Sequence, residues 1–201
     1  GGSDFGIEEI HPRRADEAGD ESIVGIVVEL DRGALLLNAA SLDNRGGQLA
    51  SQDQLDLTLT NGDLDNRDQG TLASQKDLVI KLLAGDVHNQ QAGLIFSQKG
   101  RLDLAARALN NQQGTLQSQA DNSLHLGDAL NNQGGKVDSL SANVNLEAAS
   151  IANDAGGVLN SNKGWIKLVT GLFDNSGGIT QAQSLDIDAT GGLLNQMGHL
   201  S

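Results

Sequence analysis

The sequence predicts an all-β chain wound as a parallel β-helix (a β-solenoid) of about eight coils, with 20–23 residues per coil. Three observations carry that prediction. An asparagine recurs at near-constant spacing. A glycine and an aliphatic residue follow each recurrence at nearly fixed offsets. Every complete interval also holds a short stretch that alternates with period two.

The asparagine comes first, because a fixed period decides architecture before any local preference does. Each one lies two residues after an aliphatic or aromatic residue: Leu42/Asn44, Leu64/Asn66, Val87/Asn89, Leu109/Asn111, Leu130/Asn132, Ile151/Asn153, Phe173/Asn175 and Leu193/Asn195. Successive asparagines are 22, 23, 22, 21, 21, 22 and 20 residues apart. A glycine follows three residues later at Gly47, Gly114, Gly135, Gly156, Gly178 and Gly198, and four later at Gly70 and Gly93. The aliphatic position is then filled by Leu49, Leu72, Ile95, Leu116, Val137, Val158 and Leu200. The unit at Asn175 departs, with Ile179 one place early and Thr180 in the slot. A small or polar residue comes next, at Ser51, Ser74, Ser97, Ser118, Ser139, Asn160 and Ala182. Alternating stretches such as "LDLTLT" (55–60), "LVIKLL" (78–83) and "WIKLVT" (165–170) close the units, and "ALLLNAA" (34–40) precedes the first asparagine.

Alternation of period two sends one set of side chains inward and the other outward. The runs are too short for helices and suit strands. Gly and Asn are expected at corners, where a positive φ costs least. One such coil cannot bury its own inward face, but stacked coils can, each strand pairing about 4.8 Å above and below. The asparagine beside each core anchor is then placed to bond its counterpart in the next coil, forming an amide ladder. Eight coils at that spacing give a rod on the order of 40 Å. A leucine-rich repeat has a similar length, but it sets its leucines before the asparagine and returns through a helix. Here the order is L-x-N-x-x-G-x-L, and the return alternates with period two.

Composition agrees with a thin aliphatic core. The apolar fraction is 38%, yet there are three Phe, one Trp and no Tyr, the residues that usually fill a thick core. Net charge is −13, and the densest basic group (Lys99, Arg101, Arg107) is diluted by neutral residues, so nucleic acid is not an expected partner. Cysteine is absent, which removes disulfides and thiolate sites. No apolar run reaches the roughly 20 residues of a membrane-spanning helix, so membrane insertion is not expected. Residues 1–31 differ from the rest: they hold nine acids, five of the six Glu and the only Pro, Pro12. They read as a separate acidic segment, flexible or capping the rod, with 32–201 as the repeat domain. "GGS" at the start reads as a linker, and the chain as part of something larger. If 1–31 caps the rod, its deletion should expose strand edges and promote oligomers, and a deletion variant that stays monomeric on sizing would count against the cap.

The units "SLDNRGGQLASQDQLDLTL" (41–59) and "ALNNQQGTLQSQADNSLHL" (108–126) resemble the haemagglutinin repeat of filamentous haemagglutinin-like exoproteins. These are large secreted partners of two-partner secretion systems, among them adhesins and contact-dependent growth inhibition effectors. The resemblance covers about 33–201. It implies a right-handed β-helix shaft, exported unfolded by an outer-membrane transporter to the surface of a Gram-negative cell. It implies no catalytic residue, because in that family the repeats are scaffold.

The side chains themselves assign no catalytic or metal-binding residue, and no cofactor is expected. The histidines His11, His88, His125 and His199 fall in unrelated places without triad or metal spacing. Asp43 and Asp65 precede ladder asparagines in adjacent coils and are expected about 5 Å apart. A carboxylate pair at that distance suits glycoside chemistry or Ca²⁺. His88 and Asn110 hold the next slots, however, and Arg45 and Arg67 are placed to neutralise the pair. "GGKVDSLSA" (134–142) matches the nine-residue Ca²⁺ β-roll signature loosely and does not recur, and no phosphate loop is present. If Ile166 and Leu168 point inward, Trp165 faces solvent, where an indole can stack on a sugar ring.

The expected function is a structural and adhesive shaft that holds a binding or toxic module away from the cell, its partner a glycan or receptor on a host or bacterial surface. The alternatives are a carbohydrate-binding β-helix module and a β-helix polysaccharide lyase or hydrolase. The enzyme reading is disfavoured because units of 20–23 residues leave no room for the long loops that build a catalytic groove.

Overall fold

A computed structural model of the chain describes the strands Ser22–Val24 and Val28–Leu30 and all of residues 33–201. The described residues contain no helix, and every strand pair is parallel, stacked as a β-solenoid of about eight turns. Each turn runs through three rows of strands. The first row holds the alternating stretches: Leu35–Ala39, Leu55–Leu59, Leu78–Leu82, Leu102–Ala106 and Asn122–Leu126. The second is short and leads into the asparagine, as in Leu64–Asp65 and Ala108–Asn110. The third follows the glycine, as in Thr71–Ser74 and Thr115–Ser118, and forms a separate nine-stranded sheet.

The first two rows begin as separate strands and end as one. A corner divides them in the early turns, where residues such as Asn61, Gly62 and Gly85 are inserted. From Val144–Ala152 onward single strands of nine to eleven residues run through both rows (Trp165–Asp174, Ser184–Leu194), the last with a one-residue bulge opposite Thr170 and Leu172. That merger joins both rows into one fourteen-stranded sheet.

The register stacks like on like. Leu37, Leu57, Ile80, Leu104, Leu124, Leu146, Leu168 and Ile187 form one column through the rod. Leu42, Leu64, Val87, Leu109, Leu130, Ile151, Phe173 and Leu193 form another. The side chains of the middle turns in these columns are fully buried, so the core is a narrow aliphatic thread with Phe173 its one buried aromatic among the described residues. Thr180 continues the third-row column above Leu159 and is buried. The pairing of Ser22–Val24 with Ser41–Asp43, and of Val28–Leu30 with Leu49–Ser51, carries the strand ladder below the composition change at 31. The capping role expected of 1–31 rests mostly on residues outside those described.

The turn after Asn153 is out of step with the sequence alignment by one residue. Leu159, not Val158, pairs with Val137 and is buried; Ser161, not Asn160, pairs with Ser139. The corner glycine is accordingly Gly157, not Gly156. The cause lies in the corner. Three corners contain an extra residue, and each holds two consecutive residues at positive φ: Asp68 and Gln69, Gln91 and Ala92, Ala155 and Gly156. The shorter corners hold one, such as Gln113 (φ 57°) or Met197 (φ 54°). The expectation that the conserved-offset glycines supply positive φ is also corrected. None of Gly47, Gly70, Gly93, Gly114, Gly135, Gly157, Gly178 or Gly198 has a positive φ; they are glycines because the corner is crowded.

Candidate functional site: the asparagine ladder and its corner

The second-row strand points its anchor into the core, and the asparagine two residues later inherits the same inward direction. Asn44, Asn66, Asn89, Asn111, Asn132, Asn153 and Asn175 are all buried, while Asn195 in the last turn is exposed. Nδ2 of each donates to Oδ1 of the next at 2.7 or 2.8 Å, from Asn44→Asn66 to Asn175→Asn195. The second Nδ2 hydrogen reaches a third-row carbonyl one turn on, such as Thr115 O from Asn89 and Lys136 O from Asn111. An amide fits this place because it carries a donor and an acceptor together, so each rung satisfies the next without any charge. Only Oδ1 of Asn44, at the start of the ladder, has no partner among the described residues.

The corner glycines close the same structure. A Cβ at Gly135 would collide with the backbone oxygen of Asn111 and lie 2.7 Å from Oδ1 of Asn132. The serine row forms a second buried polar column on the opposite side of the third row. Ser118 and Ser139 both donate to the carbonyl of Ala120 at 2.7 Å, and Ser161 donates to Ala142 at 2.6 Å. Periodicity marks these serines only as small or polar; their bonding to the next corner is visible in the structure alone.

Outside the core, charges are paired locally. Arg45 holds Asp43 at 2.6 Å and approaches Asp65 at 3.5 Å, and Arg67 holds Asp65 at 2.5 Å. The Arg45 hydrogen bonds hold the Asp43 carboxyl below the usual carboxylate range. At Asp65 desolvation pushes upward, but the bonds and charges of Arg67 and Arg45 outweigh it and the net shift is downward. Arg107 acts likewise on Asp86 from the next turn, at 2.6 Å. Carboxylates pinned this way are poor general acids, which need a raised pKa. His88 lies 3.2 Å from Asp63 and His125 3.3 Å from Glu147, on separate parts of the surface. Among the described residues no three His, Asp or Glu side chains converge as metal ligands. His11 lies outside the described residues. Trp165 is 38% exposed and points outward, with Ile166 and Leu168 buried on the opposite face of the strand.

One concavity lies next to the ladder, a groove of about 480 Å³ along the corner, lined by Gln90, Gln91, Gln112, Gln113, Gln133, Gly134 and Ala155.

This geometry defines a scaffold, a parallel β-solenoid whose ladder asparagines are committed to stacking one turn on the next. The haemagglutinin-repeat family model matches residues 19–58 and 32–106, which supports a filamentous haemagglutinin-like repeat region. No curated protein and no solved structure matches it. No helix among the described residues is long and apolar enough to cross a membrane.

Proposed function

We propose that the chain is a length of shaft in a secreted bacterial surface adhesin, holding another module away from the cell. The observation that supports this most is the unbroken asparagine ladder, which spans eight turns without a loop long enough to build a catalytic cleft. Repeats of this family fit such a shaft. Export through an outer-membrane transporter to the surface of a Gram-negative cell is the route this reading carries with it. A chain without cysteine suits passage in an unfolded state, since no disulfide forms early to block it.

A chimera tests the proposal. The whole chain is inserted between an outer-membrane anchor and an epitope, and the height of the epitope above the bilayer is read by energy transfer to a membrane dye. A shaft raises the epitope by about 40 Å, eight rungs of about 4.8 Å. An epitope left at the height of the anchor alone would sink the reading, as would release of new reducing ends when the purified chain is incubated with a polysaccharide panel.

A further inference from the structure

The residue directly after the ladder asparagine is Gln90, Gln112, Gln133 and Asp154 in four successive turns. Nε2 of Gln112 donates to Oε1 of Gln133 at 2.7 Å, and Nε2 of Gln133 donates to Oδ2 of Asp154 at 3.0 Å. This second, outer amide ladder is incomplete at both ends. Oε1 of Gln90 and Oδ1 of Asp154 are buried and have no partner among the described residues. Such orphaned acceptors are costly unless something donates to them. Gln91 and Gln113, both at positive φ, stand beside the ladder, and the missing side chain of Gly134 leaves the trough open between Gln113 and Ala155.

We propose that this groove binds a linear, uncharged oligosaccharide lying along the rod axis. Its lining is almost wholly amide, and each amide offers hydroxyl groups both a donor and an acceptor. The rung spacing of about 4.8 Å is close to the advance of one pyranose in an extended β-1,4-linked chain, so successive sugars meet successive glutamines. The volume lies within the range of small-ligand sites, roughly 300–1,000 Å³.

Other occupants fit less well. A peptide strand needs free backbone donors and acceptors. Here the amides of Gln91 and Gln113 already donate to the carbonyls of Gln112 and Gln133 in the next turn. Nucleic acid and sulfated or uronic glycans meet a groove whose lining holds no cation, on a chain of net charge −13. Trp165 belongs to the first row and plays no part. The proposal stands apart from the shaft reading: the chimera tests one, and titration of the purified chain tests the other.

The test is titration of the full chain with cellohexaose and chitohexaose, and with a heparin hexasaccharide for comparison. It is followed by calorimetry and by the side-chain amide resonances of the glutamines. A neutral hexasaccharide should bind and shift the amide signals of Gln112 and Gln133. Gln133→Met should weaken it by roughly tenfold or more, the scale of one lost ligand hydrogen bond. Gln196→Met, the same position in the last turn, should leave affinity unchanged. Ala155→Arg, on the exposed wall, should block the groove without touching the ladder, and serves if Gln133→Met disturbs the fold. No binding of either neutral sugar at millimolar concentration overturns the proposal. So does a preference for heparin, or binding abolished by Trp165→Ala but not by Gln133→Met or Ala155→Arg.

Discussion

At Gly157 a methyl group would sit 2.6 Å from Oδ1 of Asn153 and even closer to the backbone oxygen of Asn132, atoms the ladder holds in place. At its neighbour Gly156 the same methyl would meet nothing within 4 Å, and only the positive φ of 85° resists it. The two substitutions are therefore unequal. Gly156→Ala should cost about 1–2 kcal/mol, the strain of a left-handed residue, and Gly157→Ala more than that, because backbone must move. Equal melting points for the two would show that Gly157 is not the corner position. From sequence "NDAGG" (153–157) offers either glycine, because the offset from asparagine is three in some turns and four in others. Only the register of the strand that follows decides between them. The ladder makes a parallel contrast. Asn111→Ala removes a fully buried amide and breaks the ladder on both sides, taking the Oδ1 acceptor from Asn89 and the Nδ2 donor from Asn132, so a loss of about 3 kcal/mol is expected. Asn195→Ala, at the exposed end and only accepting from Asn175 in the ladder, should cost about 1 kcal/mol or less. Urea unfolding of both variants measures the difference.

Along the second row, the outward residues form clasps rather than a site. Asp43, Asp65 and Asp86 each have a carboxyl held lower in the folded chain by arginine. A depressed folded pKa means the unfolded chain binds protons first as pH falls. Stability from these pairs is thus complete above the unfolded value of about 3.9 and lost as pH drops through the folded values. The melting temperature should be level between neutral pH and about pH 5 as far as these groups set it, then decline below about pH 4. Asp43→Asn with Asp65→Asn should remove part of that decline while costing little at pH 7, since solvent screens such exposed pairs. An unchanged acid slope in the double variant would assign the decline to other carboxylates. Much of this row was legible beforehand: the adjacent slots of Asp43 and Asp65 follow from the period, and the arginines two residues on follow from the same count. The pairing of Asp86 with Arg107 was not, because Arg107 lies in the corner between the first two rows, where inserted residues break the count. Asn122 was hidden for a related reason. It begins a first-row strand, pairs with Leu102 and Val144 in an otherwise aliphatic column, and is fully buried. Its Oδ1 has no partner among the described residues, although Nδ2 reaches the carbonyl of Asp138 at 3.2 Å. Alternation read from Leu124 stops two residues short of it, and nothing in an asparagine announces that it points inward.

The whole rod is quasi-one-dimensional: nearly every strand contact joins a turn to the turn before or after it, so stability is a sum of rungs and of the interfaces between them. Removing a complete period should then leave a working rod, whereas removing part of one should not. Deletion of 112–132 joins Asn111 directly to Gln133 and restores the same phrase, asparagine, corner, glycine and third-row strand, with Asn111 now facing Asn153 across the ladder. That variant should fold and melt cooperatively, shortened by about 4.8 Å in small-angle scattering. Its urea m-value should fall by about one-eighth, in proportion to the surface buried. Deletion of 112–121 instead brings Asn111 next to Asn122, so a first-row strand arrives where a third-row strand must pair. Every column then loses its partner across the cut. This variant should be unfolded or aggregated, because the ladder cannot bridge a turn in which amide faces leucine. If both deletions fold equally well, the period is not what holds the molecule together; if both fail, the turns are not interchangeable and the rod depends on a unique central rung.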